Sequence, residues 1–114
     1  MTIHDMVSLV QGKILCGNVG QEDFVEYCFA SDLMSDVLTV RRSDFMLITG
    51  LSNVQSIRTA EMSDLKYVML VRGKTPPQTM IELAEESGIV LIMSPYSMFK
   101  ASGILYQAGL KGVY

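Results

Sequence analysis

Within the stretch "FASDLMSDVL", Ser31, Asp32, Ser35 and Asp36 set two hydroxyl–carboxylate pairs into an apolar frame. Carboxylates at this spacing suit three tasks: completing a helix N-terminus, holding a divalent cation, or meeting a partner's donors. Ser31 reads as the cap of a helix whose apolar positions are Leu33, Met34, Val37 and Leu38, at i, i+1, i+4 and i+5. Asp32 then falls in the first turn, where the helix dipole favours an anion. Asp36 lies one turn on, and like charges at that spacing repel slightly. Helix stability thus accounts for Ser31 and Asp32 but not for Asp36. Asp32, Ser35 and Asp36 are left facing outward as a polar contact surface, a metal-assisted site or a solvated face.

Comparable clusters recur downstream, each after an apolar run: Thr49-Gly50-Leu51-Ser52-Asn53, Arg72-Gly73-Lys74-Thr75 and Ser94-Pro95-Tyr96-Ser97. If the runs are parallel strands, all these turns emerge along one sheet edge, where ligands bind. Helix N-termini there offer free amide hydrogens and partial positive charge, and Arg72 and Lys74 add cations, a setting that accommodates a small anion such as phosphate. Each Ser, Thr or Asn is equally explained as a cap worth about 1 kcal/mol. Convergence is the argument for a site. The ligand-binding candidates are Ser31, Asp32, Ser35, Asp36, Thr49, Gly50, Ser52, Asn53, Arg72, Lys74, Ser94 and Ser97; no catalytic residue, metal ligand or cofactor is assigned.

Other signals lead away from chemistry. "RGKTP" contains Gly-Lys-Thr, but a phosphate-binding loop needs a glycine where Val68 stands, and proline follows at once. His4, the single histidine, falls early on the first helix, and no nucleophile–base set can be built around it. Gly103, inside the last helix, reads as permitting close packing. Cys16 and Cys28 lack metal spacing and lie in apolar stretches, so they read as reduced core residues of a cytoplasmic protein.

The elements that must position these residues alternate along the chain. Thr2 caps a first helix with Ile3, Met6, Val7 and Val10 on one face, and Gly12 ends it. Strands follow at "KILC", "FVEYCFA", "DFMLITG", "KYVMLVRG" and "IVLIM", some of them continuous apolar runs of the kind a parallel sheet buries on both faces. Between them, "SNVQSIRTAEMSD" and "TPPQTMIELAEESG" read as helices, the second closed by Gly88. The last helix, "SPYSMFKASGILYQAG", is expected to be capped by Ser94 with Pro95 at its first position. This alternation predicts an α/β fold, a three-layer α/β/α domain spanning residues 1–114 with a parallel or mostly parallel sheet of 4–5 strands.

Composition narrows the class. The chain has 114 residues, 49% hydrophobic and 18% charged, with a mean hydropathy of +0.31. Such an apolar balance in so small a domain points to self-association, a homodimer being the simplest case, or to a core rich in its nine methionines. The net charge of −3 and the lack of a basic run argue against nucleic acid. The longest apolar run, Ile89 to Met93, is too short for a membrane span, and the N-terminus lacks the positive cluster of a signal peptide.

At "ASDLMSDVL" and "FMLITGLSNVQSIRTAEM" the chain resembles the DRTGG domain, which is similar to the N-terminal domain of HPr kinase/phosphorylase and also occurs in some phosphotransacetylases. The resemblance runs on to "SPYSMFKASGILYQAGL" and so covers essentially the whole chain. It departs at the residues that name the family: Glu22-Asp23 and Glu26-Tyr27-Cys28 stand where Asp-Arg and Thr-Gly-Gly belong. The resemblance implies a regulatory or ligand-sensing module; in HPr kinase the phosphate-binding loop belongs to a separate domain. Similar stand-alone forms are associated with redox and hydrogenase functions in anaerobic bacteria. The leading expectation is therefore a non-catalytic sensor that binds a small anion or a partner protein. The alternatives are a small magnesium-dependent phosphate-transferring enzyme using Asp32 or Asp36, and a structural subunit of a redox complex.

Overall fold

A computed structural model describes residues 1–114. Five helices and six strands follow one another, alternating from β2 onward: α1 (Ile3–Leu9), β1 (Lys13–Cys16), β2 (Tyr27–Ala30), α2 (Met34–Val37), β3 (Phe45–Thr49), α3 (Val54–Met62), β4 (Tyr67–Leu70), α4 (Gln78–Glu86), β5 (Val90–Met93), α5 (Met98–Gln107) and β6 (Lys111–Gly112). The strands form one sheet in the order β1-β5-β4-β3-β2-β6. All neighbours run parallel except β1, which lies antiparallel along β5. The sheet exceeds the 4–5 strands expected because β6 is two exposed residues without an apolar run to announce it.

Side-chain alternation divides the core in two. Met46 and Ile48 of β3 join Ile3, Met6 and Val10 from the α1 end and Ala101 and Leu105 of α5. Phe45 and Leu47 join Met34 and Val37 of α2, Ile57 and Ala60 of α3, and Met80 and Ala84 of α4. Steps from β2 to β5 all move the same way across the sheet, so right-handed crossovers put α2, α3 and α4 on one face. The return from β5 to the far edge beside β2 puts α5 on the other.

Several local expectations change. Ser31 is not a helix cap: its hydroxyl accepts the Leu33 N–H at 3.0 Å and donates to the Leu33 carbonyl, and the extended Leu33 occupies the cap position. The helix is a single turn, so Met34 and Val37 are buried while Leu33 and Leu38 are 58% and 47% exposed. Ser94 and Pro95 also precede their helix, and it is Ser97 that accepts the Lys100 N–H at 3.1 Å. Thr2 and Asn53 do cap α1 and α3. Gly103 faces open space, with nothing within 4 Å of where a Cβ would stand, so no close packing inside the chain requires it.

Candidate functional site

Three neighbouring strands, β2, β3 and β4, end side by side, and the segments that follow them meet at one carboxylate. Asp32 Oδ1 accepts the Gly50 N–H at 2.6 Å and the Thr49 hydroxyl at 3.2 Å. Its Oδ2 faces the Arg72 guanidinium at 3.4 Å. The same guanidinium donates to the Gly50 carbonyl at 3.3 Å. The sequence expectation set Asp32 on an outward helical face beside Asp36. Because the helix starts later, Asp32 instead turns in toward β3, and its side chain remains about half exposed.

Gly50 is where it is for steric reasons. A Cβ there would overlap the Arg72 guanidinium, so glycine lets that side chain lie flat across the backbone. Arg72 itself has φ 70 and Gly73 φ 62, a left-handed pair that few non-glycine residues enter. The pair is held by the strand-end turn after β5, where Tyr96 and Ser94 carbonyls accept the Arg72 and Gly73 N–H groups at 2.7 and 2.9 Å. This matters for ligand binding. β4 leads to α4 on one face and β5 to α5 on the other, so the crevice between their ends is the usual binding position of such sheets. Here backbone hydrogen bonds stitch it shut, and the accessible polar cluster lies one strand over.

The other candidates separate into three groups. Thr49 and Ser94 are buried, and Ser94 donates to the Val10 carbonyl at 2.8 Å while accepting the Tyr96 N–H at 3.2 Å. Asn53 and Ser97 spend their side chains on caps, and Ser52 is half-buried nearby. Ser35, Asp36 and Lys74 are exposed, and the Asp36 backbone carbonyl, not its carboxylate, takes the Thr39 hydroxyl. The structure thus joins Asp32, Thr49, Gly50 and Arg72 and ties Ser94 to them through backbone. No group of three or more His, Cys, Asp or Glu side chains is placed to hold a metal ion. Burial pushes the Cys28 thiol up to about 12, which keeps it protonated and a poor nucleophile at neutral pH.

The residues that depart from the DRTGG pattern lie at the opposite end of β2. Asp23 accepts the Gly20 N–H at 2.9 Å, and Tyr27 stacks under the Arg42 guanidinium at 3.9 Å. Arg42 makes a two-pronged pair with Asp44 at 2.6 and 2.7 Å, which holds the Asp44 carboxyl below its ordinary range. The Arg42–Asp44 pair is local, between residues two apart, whereas the seating of Arg42 on Tyr27 and the backbone stitch at Tyr96 have no readable sequence signal, since both depend on which segments become neighbours.

Removing the Asp32 carboxylate should cost little because water reaches it. Asp32→Ala is expected to lower stability by about 1 kcal/mol, through the partly buried Gly50 N–H left without its acceptor. Asp36→Asn should stay within about 0.5 kcal/mol of wild type. Urea unfolding of both variants checks this; equal losses would show that Asp32 does not hold the loops together.

A mostly parallel six-strand sheet with helices between its strands defines the class: an α/β domain whose strand-end loops converge on one polar cluster. Among solved structures it is similar to the CBS and DRTGG domains of the regulatory region of Clostridium perfringens pyrophosphatase, determined with the activator diadenosine tetraphosphate. The TM-score is 0.75 at 16% sequence identity, over 96% of this chain and 47% of that one. At this identity the likeness is one of fold, and the chain spans about half the length of that regulatory region. No family model and no curated protein matches the chain. No helix is long and apolar enough to cross a membrane.

Proposed function

We propose that this chain is a DRTGG-like regulatory module, a single three-layer α/β/α domain of the HPr-kinase N-terminal type. It works as a cytoplasmic homodimer and senses a small anionic ligand rather than catalysing a reaction. The observation that carries this reading is Arg72: its side chain is 48% exposed and its one carboxylate contact is long, at 3.4 Å. Most of its five donors remain open to an anion. An arriving phosphate-type group competes with Asp32 for the guanidinium, and Asp32 is the acceptor that links the turns after β2 and β3. Ligand capture at β4 is thereby read out at the Ser31–Leu33 turn and α2. The fold likeness supports the regulatory part of the reading, since that neighbour is a regulatory region solved with a nucleotide activator.

The test is thermal unfolding against inorganic phosphate, acetyl phosphate, ATP and diadenosine tetraphosphate. A ligand at about 100 times its dissociation constant adds about 2.7 kcal/mol, or roughly ten degrees for a domain of this size. Arg72→Gln should abolish that rise. Gly50→Ala should abolish it too, because the new methyl displaces the guanidinium without removing its charge. Its own stability cost should be small, since the displaced group is the end of a flexible side chain. A panel that is flat with the wild-type chain, or a rise that survives both variants, overturns the anion site.

A further inference from the structure

α5 leaves part of its own sheet face uncovered, and the side chains there are small. Cys28 and Ala30 of β2 and Gly112 of β6, in register with Cys28, floor a groove of about 340 Å³, and Ser102 and Gly103 of α5 line its helix side. Bulkier residues at these positions would fill the gap between helix and sheet; instead Ala30 stays exposed. At about 100° per residue, Phe99, Gly103 and Tyr106 fall on one stripe of α5 pointing away from the buried Ala101 and Leu105. The rings of Phe99 and Tyr106, 89% and 74% exposed, stand at the rim. The Ser102 hydroxyl is the one buried side-chain oxygen or nitrogen in the chain without a hydrogen-bond partner, a standing cost to the fold. Lys111 is the only charged residue in the lining, and its register with Tyr27 turns its side chain toward the opposite sheet face.

We infer that this groove binds a small neutral aromatic molecule, the size of two fused rings, whose single oxygen pairs with the Ser102 hydroxyl. The size follows from the space: a closed apolar cavity of ~150 Å³ holds one benzene ring, and this groove is of about 340 Å³. The polarity follows from the walls, since apolar surface with one or a few polar groups is how a small-molecule site fixes orientation. An anionic ligand would bury its charge with no cation to meet it. Phe99 and Tyr106 offer ring faces and edges for the aromatic body at the rim. A bare apolar face has no use for a buried hydroxyl that lacks a partner; a ligand oxygen completes it. The inference goes beyond the anion site at Arg72 and depends neither on that site nor on the homodimer.

Equilibrium dialysis of the whole chain against 2-naphthol tests it, with saturation expected at one molecule per chain. Naphthalene, which lacks the oxygen, is expected to bind about tenfold more weakly, and Ser102→Ala should erase that difference. 2-Naphthoate should bind about 100-fold more weakly than 2-naphthol, because its carboxylate finds no cation. Ala30→Ile fills the floor beside its cross-strand neighbour Ile48, so it should abolish 2-naphthol binding while raising the urea midpoint. A merely structural alanine would not move these two readouts in opposite directions. Arg72→Gln, which removes the anion site, should leave 2-naphthol binding unchanged. A wild-type chain without saturable binding, or binding that survives Ala30→Ile, overturns the site. Equal affinities for naphthalene and 2-naphthol overturn the pairing with Ser102. Binding that is lost as the chain dimerises at rising concentration would mean that a second copy covers the groove, and overturns the ligand.

Discussion

Gly17→Ala is expected to destabilise the protein by about 3 kcal/mol and lower its melting temperature by roughly 10–15 °C. Gly17 follows directly on β1 with φ +97, a backbone conformation that disfavours any side chain. Its Cβ would stand 2.8 Å from Val90 Cγ2 and 2.9 Å from Val90 Cα. The methyl could give way by rotation, but the Cα cannot. Val90 belongs to β5, which is paired with β4 on one side and β1 on the other. Relief therefore requires β1 to lift away, and with it the turn that places α1 on the sheet. Gly109→Ala is the control: φ is +109, but nothing lies within 4 Å, so only the backbone cost of about 1 kcal/mol applies. Urea midpoints at unchanged slope measure both. Equal losses would mean that β1 is not seated against β5.

Ser94→Ala should follow at about 2 kcal/mol, a fall of roughly 8–10 °C. The Ser94 side chain is fully buried and serves two backbone groups, donating to the Val10 carbonyl and accepting the Tyr96 N–H. Alanine leaves both groups without a side-chain partner where water has little access, and the desolvation cost is then felt in full. The Ser94 carbonyl also holds the Gly73 N–H, so a loosened turn should carry through to Arg72. Ser97→Ala, removing an exposed cap three residues on, should cost about 1 kcal/mol. The order matters more than the sizes. If Ser97→Ala proves the costlier, Ser94 is the cap that its sequence context suggests.

The alternation of apolar runs with capped, glycine-closed helical segments was enough to read an α/β chain with a mostly parallel sheet. Phe45–Thr49, Tyr67–Leu70 and Val90–Met93 are runs that only a doubly covered strand tolerates, and all three are buried there or nearly so. Thr2 was legible as a cap, and Asn53 as one of two candidates with Ser52, because a cap is a contact over two or three residues, set by local backbone geometry. Ser31 and Ser94 misled for the same reason in reverse. A serine ahead of an apolar pattern looks like a cap, but the Ser31 hydroxyl closes a local turn on Leu33, while the Ser94 hydroxyl takes a partner that the folded chain brings near. For Ser94 that is a carbonyl 84 residues away.

The candidate site divides along the same line. The residue types that could hold an anion were written in the four turns. That Asp32 reaches Gly50 across 18 positions and Arg72 across 40 follows only from the strand order. β6, too short to bury an apolar face, gains its place from pairing with β2 alone. Local propensity and hydrophobic period are properties of neighbouring residues, so sequence by itself determined the elements apart from β6 and the late start of α2. Adjacency of turns, closure of the crevice between β4 and β5 and exposure of the α5 stripe depend on how crossovers stack in space, and only the tertiary structure decided those.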